Sequence, residues 1–294
     1  WCLHLSYIKP HWPYLAPAPY HARYDPGQVV PANRSDAELT RPNPVVDAFR
    51  RHREGVAFSR QSTRETVIPT YMGLVKQIDD HLGRLFAALD DRGLTEKTLI
   101  VFTSDHGDYL GDHWLGEKDL FHDASVRIPL IICDPDPRAD ATRGTVDDRF
   151  VEAIDLLPTF AQLAGAPLPK NKIDGQDISP LMFGQPGARS PHEVFYHYDG
   201  GNRLVALRSG KWKLMFPQSY NSPIGGKDGI PGRGQRKQIP LSLFDLESDI
   251  GETTNVADQH PDIVSRLTKL ADQMRNELGD GKKNVGSARR PIGR

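Results

Sequence analysis

The feature that most constrains the fold of this sequence is a long helical pattern followed by apolar strands. In residues 66–92 the apolar side chains recur at steps of three and four, which predicts an amphipathic helix ending at Gly93. Residues 98–104 and 128–133 are continuous β-prone apolar runs, typical of strands covered on both faces. A second helix is predicted for residues 155–164. Strands that alternate with helices indicate an α/β fold with a parallel sheet.

The N-terminal part of the sequence is predicted to hold one strand and then a long loop. Residues 1–7 are a short apolar run, which we interpret as a buried strand. Residues 9–31 contain prolines at a density that excludes helix and central strand, so an irregular segment is expected. Because the sequence starts within a strand pattern, without an initiator methionine or a leader, we expect a fragment of a longer chain.

The pattern changes to short strands in the C-terminal part of the sequence. A tight turn is predicted at Ser209–Gly210, a mobile loop rich in Gly, Lys and Arg at 219–238, and a helix at 261–278. The predicted strands are residues 194–197, 204–208, 211–216 and 241–246. These elements predict a small antiparallel sheet capped by a helix. We therefore divide the chain into a catalytic portion (1–185), a small α+β subdomain (186–280) and a basic, disordered tail (281–294).

Composition argues against several functional classes. A formal net charge of −1 argues against nucleic-acid binding, which usually requires a basic surface. No apolar run reaches the roughly 18 residues of a membrane-spanning helix, so no membrane partner is expected. Cys2 and Cys133 form neither a disulfide scaffold nor a zinc motif, and both are expected to be buried in strands.

Asp105 and His106 are the best-placed pair of chemical groups in the sequence. They directly follow the predicted strand 98–104, and ligands of open α/β sheets bind outside the carboxyl ends of the strands. A carboxylate beside an imidazole can bind a divalent cation, and Gly107 lets the backbone turn away. The alternative is a simple turn in which the Asp105 carboxylate accepts hydrogen bonds from nearby backbone N–H groups.

The loop that follows carries a lysine, Lys118, between the two central strands. A lone loop lysine is usually a solvated surface charge. This lysine, however, shares its loop with three histidines, His106, His113 and His122. A second histidine-bearing segment, which contains His11, follows the first predicted strand.

At these positions the sequence resembles the sulfatase family of the alkaline-phosphatase-like superfamily. The ordered series of motifs is more specific than any single motif, and it runs from residue 1 to about residue 278. The matching segments are Pro10–Pro13, Thr103–Gly107, Leu110–His113, Lys118, Val126–Leu130, Glu152–Thr159 and Leu243–Asn255. The resemblance implies an alkaline-phosphatase-like sheet flanked by helices, followed by the small C-terminal subdomain.

The resemblance also implies roles for individual residues. Asp105 and His106 would supply half of a divalent metal site, with Ca²⁺ favoured and Mn²⁺ as the alternative. Lys118 would contact an oxygen of the sulfate or phosphonate group, and His11 would act as general acid toward the leaving group. His113 would bind substrate. His11, Asp105, His106 and Lys118 should then converge around one cavity at the strand ends, with His11 close to the Asp105–His106 pair.

One family feature is missing from the sequence. The resemblance implies a formylglycine nucleophile made within a Cys-x-Pro-x-Arg motif, and the 294 residues contain no such motif. The segment from Cys133 to Arg138 comes close, but its arginine stands one residue late. We therefore expect the formylglycine upstream of residue 1 in a parent chain, and we expect the 294 residues alone to be inactive.

The leading hypothesis is hydrolysis of a small-molecule or glycan sulfate ester by a metal-dependent, formylglycine-type enzyme. Hydrolysis of a phosphonate monoester or phosphodiester is the alternative, because both ester classes are tetrahedral and carry charged oxygens. Residues 3–7 and His11 resemble the phosphonate monoester hydrolases of the family, whereas Leu243–Leu246 resembles arylsulfatases. The alternative from another class is a non-catalytic remnant or binding module, which the missing nucleophile favours.

Overall fold

The computed structural model describes residues 1–227, 230–281 and 286–287. These residues fall into two units, one of Trp1–Thr40, Pro44–Ile131 and Asn221–Gln235, and the other of Arg41–Asn43, Ile132–Tyr220 and Arg236–Arg294. The tail predicted for 281–294 lies outside the described residues, apart from Gly281, Gly286 and Ser287. Among the described residues, no helix combines the length and apolar character needed to cross a membrane.

The first unit is built around one long helix. Its elements are α1 (Ala37–Thr40), α2 (Pro44–Arg50), α3 (Arg53–Phe58), α4 (Gln61–Asp90), β1 (Ile100–Thr103), α5 (Asp123–Val126) and β2 (Leu130–Cys133). The predicted helix is thus α4, which is longer at its N-terminus than the apolar pattern indicates, and Gly93 follows with φ 62°. β1 and β2 pair in a two-stranded sheet.

The proline-rich segment, residues 9–31, packs against one face of helix α4. A Cβ atom at Gly73 would lie 2.3 Å from the Tyr20 carbonyl oxygen, so only glycine permits this approach of two backbones. The Tyr20 hydroxyl also donates to Asp80 Oδ2 at 2.9 Å. As predicted, residues 9–31 are irregular, apart from 3₁₀ turns at Tyr20–Ala22 and Pro26–Gln28.

The N-terminal strand prediction is wrong. Residues 1–8 form no strand, and Trp1 and Ile8 are 84% and 82% exposed. An apolar run becomes a buried strand only where a neighbouring strand and a covering layer meet it, and the described residues supply neither here. Cys2, expected to be buried in that strand, is exposed.

Strands β1 and β2 stand where the sequence predicts strands, but they are not covered on both faces. In β2 exposure alternates, with Leu130 and Ile132 partly buried and Ile131 and Cys133 exposed. Alternate side chains of a strand point to opposite faces, so this alternation means that one face of β2 is covered and the other is open. The prediction that Cys133 is buried is therefore wrong.

The second unit contains a sheet covered by a helix. Its elements are α6 (Leu156–Ala164), α7 (Ser179–Met182), β3 (Phe195–Tyr198), β4 (Leu204–Ser209), β5 (Trp212–Met215), β8 (Ser242–Asp245) and α8 (Pro261–Leu278). The strand order is β3-β4-β5-β8, and each neighbouring pair is antiparallel. Leu267 and Ala271 of α8 are fully buried in one core with the sheet residue Leu207. The predicted antiparallel sheet with its helix is confirmed, and α8 has the predicted bounds.

Residues 219–227 and 230–238 are not the mobile loop that the composition of 219–238 indicates; residues 228 and 229 lie outside the described residues. They belong to two ten-residue strands, β6 (Gln218–Lys227) and β7 (Ile230–Ile239), which pair in a separate two-stranded sheet. Arg236 Nη2 donates across the pair to Ser219 Oγ at 2.7 Å. Cross-strand backbone hydrogen bonds satisfy the polar main chain whatever the side chains, so glycine and charge content misled the prediction.

Candidate active site

The turn after β1 presents Asp105 and His106, and Gly107 fixes its path. A Cβ atom on Gly107 would lie 1.9 Å from the Ala124 carbonyl oxygen, so no other residue fits without moving α5. The Gly107 amide donates to the Ser125 carbonyl at 2.7 Å, and Ser104 Oγ donates to the His106 carbonyl at 2.8 Å. The turn is therefore held against α5 by main-chain contacts. Within it, Asp105 Oδ1 accepts from the His106 amide at 3.0 Å, the contact expected for a simple turn, so Asp105 Oδ2 and His106 Nε2 are the atoms available for a ligand.

Asp105 and His106 form a compact pair of donor atoms. His106 Nδ1 lies 2.7 Å from the Gly107 carbonyl oxygen, which assigns the ring proton to Nδ1 and leaves a lone pair on Nε2. That Nε2 lies 3.6 Å from Asp105 Oδ2, and the Asp105 carboxylate is 86% exposed. An imidazole that donates one N–H to a backbone carbonyl and offers the other nitrogen is the usual arrangement of a metal-binding histidine.

The donor set of this pair fits half of a metal site. One carboxylate and one imidazole nitrogen are both acceptable ligands of a divalent cation. Within the described residues, no group of three or more His, Cys, Asp or Glu side chains is arranged to hold a metal ion. A complete site would therefore need ligands beyond these two.

His11 and Lys118 meet beside this pair. Lys118 Nζ lies 2.8 Å from His11 Nε2, and His11 Nδ1 lies 2.8 Å from the Trp12 carbonyl oxygen. The Trp12 contact places the ring proton on Nδ1, so Nε2 accepts the hydrogen bond that the lysine donates. The centroid of the His11 ring is 6.0 Å from that of His106. Four of the five residues singled out in the sequence thus lie together at the end of β1.

The loop between His106 and Lys118 has an unusual backbone. Leu110, His113, Trp114 and Glu117 have φ values of 46°, 52°, 61° and 63°, although none of them is glycine. Each such residue costs about 1–3 kcal/mol and persists only where surrounding contacts impose it. Backbone strain of this kind is concentrated at functional sites, and here it occurs in the loop that ends at Lys118.

His113 does not join the other four residues. Its side chain is 2% exposed, and its Nδ1 lies 2.9 Å from Glu38 Oε2. Its ring stacks on His122 with the centroids 4.3 Å apart, and Tyr109 Oη lies 2.7 Å from His122 Nδ1. This buried chain of groups holds the strained loop in place. The geometry therefore does not support a substrate contact for His113.

The structure adds three residues that the sequence did not single out. Tyr14 donates its hydroxyl hydrogen to Asp108 Oδ2 at 2.6 Å, and Glu117 Oε2 lies 4.0 Å from Lys118 Nζ. Burial raises the pKa of the Asp108 carboxyl, against the opposing effect of the Tyr14 hydrogen bond. Burial also raises the pKa of Glu117, against the attraction of the Lys118 ammonium. In the sequence, the only sign of these three residues is that Asp108 directly follows the Asp105–Gly107 turn.

Comparison with known proteins places both halves of the chain in one family. Residues 1–166 match the family described as sulfatase, and residues 190–292 match the C-terminal region of aryl-sulfatase. The multifunctional alkaline phosphatase superfamily protein PehA of Trinickia caryophylli is 34% identical over 268 residues, covering 87% of this chain and 51% of that protein. Human arylsulfatase A is 30% identical over 235 residues, covering 74% and 44%.

Solved structures show the same relationship. A phosphonate monoester hydrolase from Silicibacter pomeroyi superposes with a TM-score of 0.70 and 28% sequence identity, covering 96% of this chain and 56% of that one. This similarity confirms the predicted α/β fold class. The chain spans about half the length of the two curated relatives described above, at 51% and 44%.

Proposed function

Because the chain belongs to the sulfatase family, we propose that it provides part of the active site of a metal-dependent hydrolase of sulfate esters. The observation that carries the proposal is the convergence of His11 and Lys118 with the Asp105–His106 pair at the end of β1. Residues 1–185 would belong to the catalytic domain and residues 186–280 to its C-terminal subdomain. The substrate would be a small-molecule or glycan sulfate ester.

Asp105 and His106 would hold one divalent ion, for which Ca²⁺ is our first choice and Mn²⁺ the second. A bound ion of this kind polarises the ester oxygens and favours the ionised form of a nucleophile. The carboxylate provides a hard oxygen ligand, and the hydrogen bond from His106 Nδ1 to the Gly107 carbonyl keeps Nε2 directed toward the Asp105 side chain. The exposure of Asp105 gives an ion and its remaining ligands access to the pair.

Lys118 and His11 would act on the two ends of the scissile bond. The Lys118 ammonium is a compact positive charge that would offset the charge on sulfate oxygens as the S–O bond to the leaving group breaks. His11 would pass a proton to the leaving oxygen through Nε2, and that oxygen would then depart as an alcohol or phenol. Because Nε2 accepts the hydrogen bond from Lys118 when the ring proton is on Nδ1, this transfer requires His11 to carry a proton on both ring nitrogens.

The nucleophile is not among the groups assigned here. A formylglycine would arise from a Cys-x-Pro-x-Arg motif, which the 294 residues do not contain. Cys133 is exposed on β2, where it is followed by Asp-Pro-Asp-Pro rather than by that motif. The proposal therefore gives this chain half of the metal site and the groups that act on the leaving oxygen, and it leaves the nucleophile outside these residues.

Phosphonate monoester hydrolysis is the second candidate. The likeness to the Silicibacter pomeroyi enzyme covers 96% of this chain, and phosphonate and sulfate monoesters share a tetrahedral, anionic centre. A metal, a lysine and a histidine at this spacing could serve either ester. The relative rates on the two substrates therefore decide between the candidates.

The test uses the complete gene product that contains this sequence. We expect 4-nitrophenyl sulfate to be hydrolysed with a higher kcat/KM than 4-nitrophenyl phenylphosphonate, and a chelator to abolish turnover until Ca²⁺ or Mn²⁺ is restored. Lys118→Met should lower kcat by about 10²–10³, the usual cost of removing a group that stabilises developing charge.

The matched control is Lys97→Met, which removes an exposed lysine that precedes β1 and lies outside the site. A higher kcat/KM on the phosphonate would replace the first candidate by the second. Equal activity of Lys118→Met and Lys97→Met, or turnover that survives chelation, would refute the site assignment.

A further inference from the structure

The segment that carries His11 is attached to the Lys118 loop by His11 itself and by the side chain of Tyr14, three positions later. Lys118 Nζ donates to His11 Nε2, and the Tyr14 hydroxyl donates to Asp108 Oδ2. The segment itself is rich in proline, which lacks a backbone N–H, so it has few main-chain donors with which to hold its position. The position of His11 therefore depends on contacts made by its neighbours.

The Tyr14–Asp108 contact is the best-defined of these attachments. Both oxygens of the Asp108 carboxylate are used, because Oδ2 accepts from the Tyr14 hydroxyl at 2.6 Å and Oδ1 accepts from the Leu110 amide at 3.1 Å. The Leu110 contact fixes the start of the strained loop, where φ is 46°. Asp108 therefore links three features of the site, namely the turn that ends in His106, the loop that leads to Lys118 and the segment that carries His11.

Tyr14 is itself held on two sides. Its ring packs edge-on against Phe58 of α3 at 6.1 Å and against Tyr71 of α4 at 6.3 Å. These contacts restrict the ring, so its hydroxyl reaches Asp108 from a fixed direction. A hydrogen bond between two restrained partners transmits position, whereas one between flexible surface groups does not.

We propose that Tyr14 and Asp108 are positioning residues that set the distance between the His11 imidazole and the Asp105–His106 pair. This inference rests on the proposed function, because it assumes that His11 delivers a proton to the leaving oxygen. Neither residue needs to touch the ester. Their effect is to hold a proton donor in register with the metal-binding pair, where a displacement of about 1 Å can cost a factor of roughly 10² in rate.

The kinetic test compares Tyr14→Phe and Asp108→Asn in the complete gene product, using aryl sulfates whose phenols span a range of pKa. A misplaced general acid matters most when the leaving phenol is basic. We expect kcat to fall about tenfold for phenyl sulfate and about twofold for 4-nitrophenyl sulfate, with KM changed by less than about twofold. Because both variants alter the same Tyr14–Asp108 contact, the double variant should be no worse than the more impaired single one.

The matched control is Tyr20→Phe, which removes a similar tyrosine–carboxylate bond, to Asp80 of α4, away from the His11–Lys118 pair. It should leave the dependence on the leaving group unchanged. Losses in Tyr14→Phe that are equal for all leaving groups, or losses that add in the double variant, would overturn the positioning role. If either of these results is found while the wild-type protein hydrolyses aryl sulfates, the proposed function remains intact and only the positioning role is lost.

A second measurement does not depend on turnover. The His11 amide donates to the Ile8 carbonyl at 3.1 Å, and the Leu15 amide donates to the Pro13 carbonyl at 2.8 Å. In Tyr14→Phe and Asp108→Asn these amides should exchange hydrogen roughly tenfold faster than in the wild type, and in Tyr20→Phe at the wild-type rate. Unchanged hydrogen-exchange rates of these amides in Tyr14→Phe and Asp108→Asn would overturn the inference. This measurement is informative even if the gene product hydrolyses neither ester, a result that would refute the proposed function separately.

Discussion

Asp155 is a fully buried carboxylate whose removal should destabilise the second unit strongly. Oδ2 accepts from the Glu152 amide at 2.8 Å, Oδ1 accepts from the Gln176 amide at 2.8 Å, and His192 Nε2 lies 2.7 Å from Oδ1. The variant Asp155→Ala leaves these donors without an acceptor. Each hydrogen bond to a charged group contributes about 1.5–3 kcal/mol. The His192 side chain is 12% exposed and can regain water, so we expect a net loss of about 3–5 kcal/mol.

Urea unfolding of the complete gene product and native-state hydrogen exchange measure this loss. The Ile178 amide is a suitable probe, because it donates to Thr159 Oγ1 at 3.0 Å, and that hydroxyl donates to the Asp155 carbonyl at 2.6 Å. The control is Asp147→Ala, which removes a 40% exposed carboxylate paired with Arg149 and should cost less than about 1 kcal/mol. A loss in Asp155→Ala no larger than in the control would refute the reasoning.

Two further predictions concern the β3-β4-β5-β8 sheet. Lys213 and Glu252 form an ion pair with side chains only 3% and 2% exposed, so Lys213→Met should destabilise by about 3–5 kcal/mol in urea unfolding, and Lys213→Met with Glu252→Leu should recover most of that loss. If the double variant recovers none of the stability lost in Lys213→Met, that loss does not come from leaving the Glu252 carboxylate buried without its partner. Burial, reinforced by Lys213 and Arg208, holds the pKa of His197 well below its usual value near 6.5. Since the unfolded chain then binds the proton first, stability should fall by up to about 1.4 kcal/mol per pH unit below pH 6.5 and stay level above it. His197→Gln should remove that slope, and a slope kept in the variant would assign it to other groups.

Elements with a strong internal pattern were predictable. The amphipathic spacing that predicts α4 lies within one segment, and so do the apolar runs of β1 and β2. Gly165, the residue directly after the predicted helix 155–164, has φ 64° and caps α6 in the left-handed conformation. These features depend on residues a few positions apart, so the chain order alone reveals them.

Elements that depend on a partner were not predictable. The apolar residues at 1–7 have the pattern of a strand, yet they remain exposed, whereas the glycine-rich segments 219–227 and 230–238 pair as β6 and β7. Strand formation depends on which other segment lies alongside, and no local pattern encodes this. The same limit explains Cys133, whose exposure depends on which face of β2 is covered.

For the candidate site, the sequence determined which groups are present, and the tertiary structure decided which of them work together. The order of His11, Asp105, His106 and Lys118 along the chain was enough to single them out and to suggest the family. Only the fold brings His11 to Lys118 across 107 positions, buries His113 against Glu38, and joins Tyr14 to Asp108. Chemical identity belongs to each residue alone, whereas distance and burial arise from packing between segments far apart in the chain.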